Sequence, residues 1–128
     1  MGLEEKKMRN TLEKEIIPEV STDLKAALGT DVEIKINWDS FEAIDSLREI
    51  QHQVLGRIVE GVKSLCEDDF AKGEAAEQFK TIEVNNLSSL DDKKVEFANN
   101  TLTIQTTWAD FGNIFTPGDI KSAIEAGL

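Results

Sequence analysis

The sequence is poor in the side chains that most enzymes use for catalysis. Among its 128 residues it has one histidine, one cysteine and no tyrosine. These residue types supply many nucleophiles, proton shuttles and metal ligands. Because His52 and Cys66 have no second histidine or cysteine to pair with, the sequence excludes the usual histidine- and cysteine-rich zinc sites. We expect no metal and no cofactor; carboxylates keep an enzymatic activity open, but the inventory favours a protein without catalysis.

Long apolar runs and disulfides are also missing. No stretch approaches the ~20 apolar residues that a membrane-spanning helix requires, and residues 1–7 lack the apolar core of a signal peptide. A single cysteine cannot form an internal disulfide, which is typical of proteins in a reducing compartment. These absences predict a cytoplasmic protein that does not enter a membrane.

Negative charge is what the chain has in excess. Its 25 acids and 14 bases give a formal net charge of −11. Residues 31–128 hold nineteen acids and nine bases, whereas residues 1–30 are nearly neutral. So acidic a surface repels phosphate backbones and anionic lipids, which predicts no nucleic-acid or membrane partner. The charge either serves solubility alone or attracts a basic protein partner.

The first thirty residues are predicted to be helical. Apolar side chains recur every four positions, as on one face of a helix: Met8, Leu12, Ile16, Val20, Leu24 and Leu28. Pro18 interrupts the backbone hydrogen bonding. The pattern therefore predicts either one kinked helix or two helices, the second capped by Ser21 or Thr22 and ended by Gly29.

A strand and a long helix follow. Apolar and polar residues alternate over Val32–Trp38, which is typical of a strand with one buried face. Asp39 or Ser40 then offers a cap for a helix that extends to about Cys66. A shorter helix is predicted around Asp68–Phe79.

The last third of the chain predicts three strands and a closing helix. Thr81–Leu87 is the first strand. Lys93–Ala98 and Thr101–Trp108 flank Asn99-Asn100, a pair that suits a two-residue type I′ hairpin turn. In that register the apolar pairs share one face: Phe97 with Leu102 and Val95 with Ile104. The closing helix is predicted to begin at a Thr116 cap.

These elements follow one another in the order α-α-β-α-α-β-β-β-α. We predict a single α+β domain, residues 1–128, with the helices packed on one face of a roughly four-stranded antiparallel or mixed sheet. The order leaves open whether the first two strands are parallel. The other sheet face stays polar and is the predicted protein-binding surface: Glu33, Glu83, Glu96, Thr103, Gln105 and Thr107.

Four residues form a candidate ligand site between the long helix and the sheet. On a regular helix Gln51 lies near the middle of the apolar stripe, and Arg48 borders it. Gln51 either bonds within the core or lies at the mouth of a pocket where Arg48 holds an anion. Trp38 and Trp108 end strands on the buried face, so they either pack in the core or line the same pocket.

The remaining polar candidates are predicted to be structural. His52 lies on the flank of the stripe, where a histidine usually contacts solvent. Cys66 is followed by three acids at the negative end of a helix, which should raise its pKa and reduce its reactivity. The acid clusters Glu67–Asp69 and Asp91-Asp92 lack the calcium-loop pattern, and we expect them to cap a helix or lie in a loop.

Three functions are consistent with this sequence. The leading hypothesis is a small acidic cytosolic binding or regulatory protein, of the inhibitor or immunity type, that acts without catalysis on a basic partner. The alternative is a small-ligand-binding domain or carboxylate-based enzyme with a pocket between the long helix and the sheet. The third is a self-associating module that uses its threonine-rich sheet face. The sequence does not determine the oligomeric state.

Overall fold

A mixed four-stranded sheet organises the fold. The structure, a computed structural model, describes residues 2–128, except for the side chain of Phe111. The strands are β1 (Glu33–Ile36), β2 (Thr81–Asn86), β3 (Lys94–Ala98) and β4 (Thr101–Thr106), in the spatial order β1-β2-β4-β3. The β1/β2 and β2/β4 pairs are parallel and β3/β4 is antiparallel. The α+β prediction is confirmed, and the first two strands prove to be parallel.

The β3–β4 hairpin forms as its sequence predicts. Asn99 and Asn100 have φ angles of 54° and 65°, the left-handed values that a type I′ turn needs at both central positions. The register confirms the apolar pairs Phe97–Leu102 and Val95–Ile104. Asparagine adopts these angles more readily than most residues, so the two-residue turn fixes the hairpin register.

The N-terminal residues form one continuous helical run, residues 3–28. It comprises α1 (Leu3–Thr11), a π-helical segment (Leu12–Ile16) and α2 (Ile17–Leu28). The wide π turn ends just before Pro18, which has no N–H to donate. The predicted Ser21 or Thr22 cap is wrong, because the Thr22 hydroxyl instead donates to the Pro18 carbonyl at 3.0 Å. Gly29, with φ of 83°, ends the run as predicted.

The central helical run, residues 44–65, starts later than its sequence predicts. It comprises α3 (Ile44–Leu47), a second π-helical segment (Ile50–Gly56) and α4 (Arg57–Leu65). The predicted cap at Asp39 or Ser40 is wrong, because Trp38–Ser40 forms a 3₁₀ turn at the end of β1. The Ser40 hydroxyl is used there, donating to the Asn37 carbonyl at 2.6 Å.

The last two helices begin at side-chain caps. Asp68 caps α5 (Asp69–Gln78) by accepting hydrogen bonds from the backbone N–H groups of the next turn. Thr116 and Asp119 form a capping box at the start of α6 (Pro117–Gly127). Asp91-Asp92 lies in a 3₁₀ turn, Leu90–Asp92, just before β3. Among residues 2–128, no helix is both long enough and apolar enough to cross a bilayer.

The helices cover one face of the sheet only. Buried side chains of both layers form a core that includes Leu24, Val62, Ile82, Ile104 and Ile124. The outward positions of the strands are polar, as in Glu83, Thr103 and Glu96, which lie side by side across β2, β4 and β3. This arrangement is the predicted one, since alternating strands bury one face and leave the other in water.

A polar network joins the carboxyl ends of the three parallel strands. The Asn86 side chain donates from Nδ2 to the Ser40 carbonyl at 3.0 Å and accepts at Oδ1 from the Trp108 backbone N–H at 3.1 Å. Its backbone N–H donates to the Ser40 hydroxyl at 3.0 Å. The indole N–H of Trp108, whose side chain is fully buried, donates to the Asn85 carbonyl at 2.8 Å. One amide therefore holds the turns that leave β1 and β4.

Replacing this amide should destabilise the protein strongly. We predict that Asn86→Asp lowers the free energy of unfolding by about 1–3 kcal/mol, because the carboxylate cannot donate to the Ser40 carbonyl and leaves it unpaired. Urea unfolding followed by circular dichroism measures the change. The matched control is Asn85→Asp, which loses only a half-buried bond to Gln105 on the open sheet face. Equal destabilisation by the two variants would contradict the role of Asn86.

Candidate functional site

A cleft opens between the N-terminal helical run and the start of the central run. Its volume is about 500 Å³. Its apolar wall consists of Met8, Leu12, Ile16 and Leu47. Its polar lining consists of Glu4, Lys7, Thr11, Arg48, Gln51 and His52. These ten residues define the helical cleft, whose size lies within the range of small-molecule sites.

Both π-helical segments contribute to the helical cleft. Leu12 and Ile16 belong to the first segment, and Gln51 and His52 belong to the second. A π turn closes i→i+5 hydrogen bonds and holds an extra residue, so side chains rotate away from their positions on a regular helix. Gln51 is therefore half-buried at the cleft and not central in the core. Single π turns occur frequently at functional sites.

Arg48 stands at the mouth of the helical cleft with only weak partners. Its side chain is 55% exposed, and its guanidinium lies 3.5 Å from Glu4 Oε1 and 3.8 Å from Asp45 Oδ1. Ion pairs this long and this exposed contribute little to stability. The guanidinium can therefore turn toward an anion in the cleft without a large loss of stability.

Trp38 and Trp108 lie away from the helical cleft. Trp108 is fully buried, and its indole N–H is bonded at the sheet edge. Trp38 is half-buried in the turn after β1, with the Arg9 guanidinium 4.9 Å from the centre of its ring. Of the four predicted ligand-binding residues, the structure thus brings together Arg48 and Gln51. The cleft they line lies between helices, whereas the predicted pocket lay between helix and sheet.

The six predicted protein-binding residues all lie on or beside the uncovered part of the sheet. Lys35, Glu83, Thr103 and Glu96 form one row across the four strands, and Glu33 and Gln105 extend the same face. Gln105 is bonded at both ends of its amide, accepting from Asn85 Nδ2 and donating to the Asp92 carbonyl. Thr107, just after β4, accepts from Asn113 Nδ2 at 2.8 Å.

A second surface, at the start of α5, was not predicted from the sequence. Phe70 is 77% exposed, compared with 47% for Leu90. It borders a cavity of about 470 Å³ lined by Asp68, Phe70, Ala71, Glu74, Glu125 and Leu128. We call these six residues the Phe70 surface; its lining contains three acids and no base. The one sequence signal is an aromatic residue directly after Glu67–Asp69, in the first turn of a capped helix.

Cys66 is half-buried at the end of the central run. Burial raises the pKa of its thiol above the ordinary value, and the nearby Lys72 ammonium partly opposes this. The predicted direction of the pKa shift is therefore confirmed, but burial causes it and not the following acids. His52 is exposed, as predicted, although it lines the helical cleft. Within residues 2–128, no cluster of three or more His, Cys, Asp or Glu side chains is placed to hold a metal ion.

Gln53 carries a buried polar atom that the sequence does not reveal. On a regular helix it faces away from the core. In the second π segment its Oε1 is buried, and among residues 2–128 that oxygen has no hydrogen-bond partner. An unpaired buried acceptor costs about 1–3 kcal/mol, so this segment is held in place by the packing around it.

The buried thiol should react slowly. We predict that the rate of Cys66 alkylation by iodoacetamide rises with pH to a midpoint above that of the same protein unfolded in urea, because only the thiolate reacts. Lys72→Gln should move the midpoint higher still, since it removes the charge that favours the thiolate. A midpoint at or below the unfolded value would contradict the burial of Cys66.

No family model, curated protein or solved structure matches this chain.

Proposed function

We propose that this protein is a small cytoplasmic binding protein, of the inhibitor or immunity type, that acts without catalysis and recognises a basic protein partner at the Phe70 surface. The observation that carries the proposal is the phenyl ring of Phe70. It is 77% exposed beside a cavity whose charged lining residues are all acids. Such a surface offers an aromatic anchor inside a negative rim.

This combination suits lysine and arginine side chains. Aromatic residues at the centre of an interface often carry much of its binding energy. A ring face also attracts ammonium and guanidinium groups directly. Because Asp68, Glu74 and Glu125 surround the cavity, a basic partner gains charge complementarity at the same place.

The helix that carries Phe70 is fixed at its first turn and along its buried side. Asp68 Oδ1 accepts from the Phe70 N–H at 2.9 Å, which fixes the first turn of α5. Ala75 and Phe79 anchor the other side of the helix in the core, where both are fully buried. Little ordering is then required on binding, and a preorganised surface retains more of its gross interaction energy.

The open sheet face is the weaker candidate for this partner. Its charges are of both signs, with Lys35 beside Glu83 and Lys94 two residues from Glu96 on β3. The amide of Gln105 is already bonded within the protein. A contact role for this face stays a prediction.

The proposal is tested by affinity capture from a lysate of the source organism at low salt, with mass spectrometry of the retained proteins. We expect a strongly basic protein to be retained. Its affinity, measured by titration calorimetry, should fall about tenfold or more in Phe70→Ser, because truncating a central aromatic anchor removes much of the binding energy. The affinity should also fall with added salt, since exposed charges are screened.

Leu90→Ser is the matched control. Leu90 is another exposed apolar residue next to acids, in a different turn, and its loss should leave the affinity unchanged. The proposal fails if no basic protein is retained, or if the two variants weaken binding equally.

A further inference from the structure

We infer that the helical cleft binds a free single-chain carboxylate, with the hydrocarbon chain along its apolar wall and the carboxylate at Arg48. This site is separate from the Phe70 surface, and the inference does not rest on the proposed function. It is carried by the shape of the cleft, by its apolar wall and by the charges at its mouth.

The shape of the cleft fits an elongated apolar ligand. Met8, Leu12 and Ile16 follow one another along the N-terminal run, and Leu47 faces them from the central run. A second cavity of about 280 Å³ adjoins the cleft and shares Ile16, Gln51 and His52 with it, but its lining also includes Glu19, Asp23, Glu60 and Lys63. The apolar wall therefore ends near Ile16, and its row of Met8, Leu12 and Ile16 suits a single hydrocarbon chain.

The charges at the mouth fit a monoanion. The lining has two bases, Lys7 and Arg48, and one acid, Glu4, in a chain of net charge −11. Asp45, outside the lining, also lies 3.8 Å from Arg48, in an exposed and weak ion pair. A guanidinium binds a carboxylate through two parallel hydrogen bonds. Gln51 adds amide donors to the same lining.

The surroundings favour a free ligand over a lipid in a membrane. Leu12 and Leu47 of the apolar wall are buried, so a flat bilayer surface meets little of it. The acidic body of the protein also repels anionic headgroups. The chain of a free carboxylate can enter the cleft while its head stays at the solvent-exposed Arg48.

Calorimetric titration with sodium dodecanoate, below its critical micelle concentration, tests the inference. We expect one molecule to bind per chain. Dodecanol should bind more weakly, because it has the same chain without the charge. At the cleft itself, dodecyltrimethylammonium should bind most weakly, because its cationic head meets Lys7 and Arg48 there. Backbone NMR shifts should change along residues 7–16 and 47–52.

Variants separate the head from the chain. Arg48→Gln should weaken dodecanoate about fivefold, as expected for a half-exposed charge pair, and leave dodecanol unchanged. Thr11→Trp, an exposed position that lines the cleft, should fill it and abolish the binding of both. Lys80→Gln, an exposed lysine outside the cleft, removes the same charge and should have no effect.

Several outcomes overturn the inference. The inference is wrong if dodecanoate does not bind, or if it binds Thr11→Trp as tightly as the unaltered protein. If the cleft binds dodecyltrimethylammonium as tightly as dodecanoate, Arg48 does not select the anionic head. Binding to anionic phospholipid vesicles without binding to free dodecanoate assigns the cleft to a membrane surface.

Discussion

The Asn86 amide is the interaction on which the sheet depends. It bonds to the turn that follows β1 and to the backbone that follows β4, while β2 itself carries it. Three parallel strands thereby end in one closed network. Parallel sheets often bind ligands in the crevice beyond the carboxyl ends of their strands. Here Ser40 and the buried Trp108 lie in that region, and the two candidate sites lie in the helical layer.

The helical layer departs from regular geometry at two places, and both departures shape the helical cleft. One π segment precedes Pro18 and the other is Ile50–Gly56. In each, the side chains are rotated away from the positions that they would have on a regular α-helix. The charge of the chain is also distributed unevenly. The nearly neutral N-terminal run supplies Lys7 to the cleft, whereas the acidic remainder surrounds Phe70. The lining of the helical cleft therefore includes two bases and one acid, whereas the charged residues that line the Phe70 surface are all acids.

Local sequence rules predicted the elements whose geometry depends on nearby residues. Asn99-Asn100 required left-handed angles, Gly29 ended a helix, and the Thr116 capping box began one. One wrong prediction, the Ser40 cap, involved a contact distant in sequence. Ser40 does not cap a helix because Asn86, from another strand, occupies it.

The candidate sites were harder to predict than the fold. The sequence predicts Gln51 near the middle of the apolar stripe only if a 3.6-residue period continues through residues 50–56, which form a π segment. Phe70 could not be recognised as exposed, because burial depends on how α5 docks on the core. Arg48 was correctly grouped with Gln51, since the two residues are three apart on one helical run.

The role of Asn86 is tested most directly by native-state hydrogen exchange, followed by NMR on the unaltered protein. The backbone and indole N–H groups of Trp108 should exchange only through global unfolding, as slowly as the central β2 and β4 amides. If these two groups exchange as fast as an exposed loop amide such as that of Ser88, the hydrogen-bond network at the carboxyl ends of the strands is not closed.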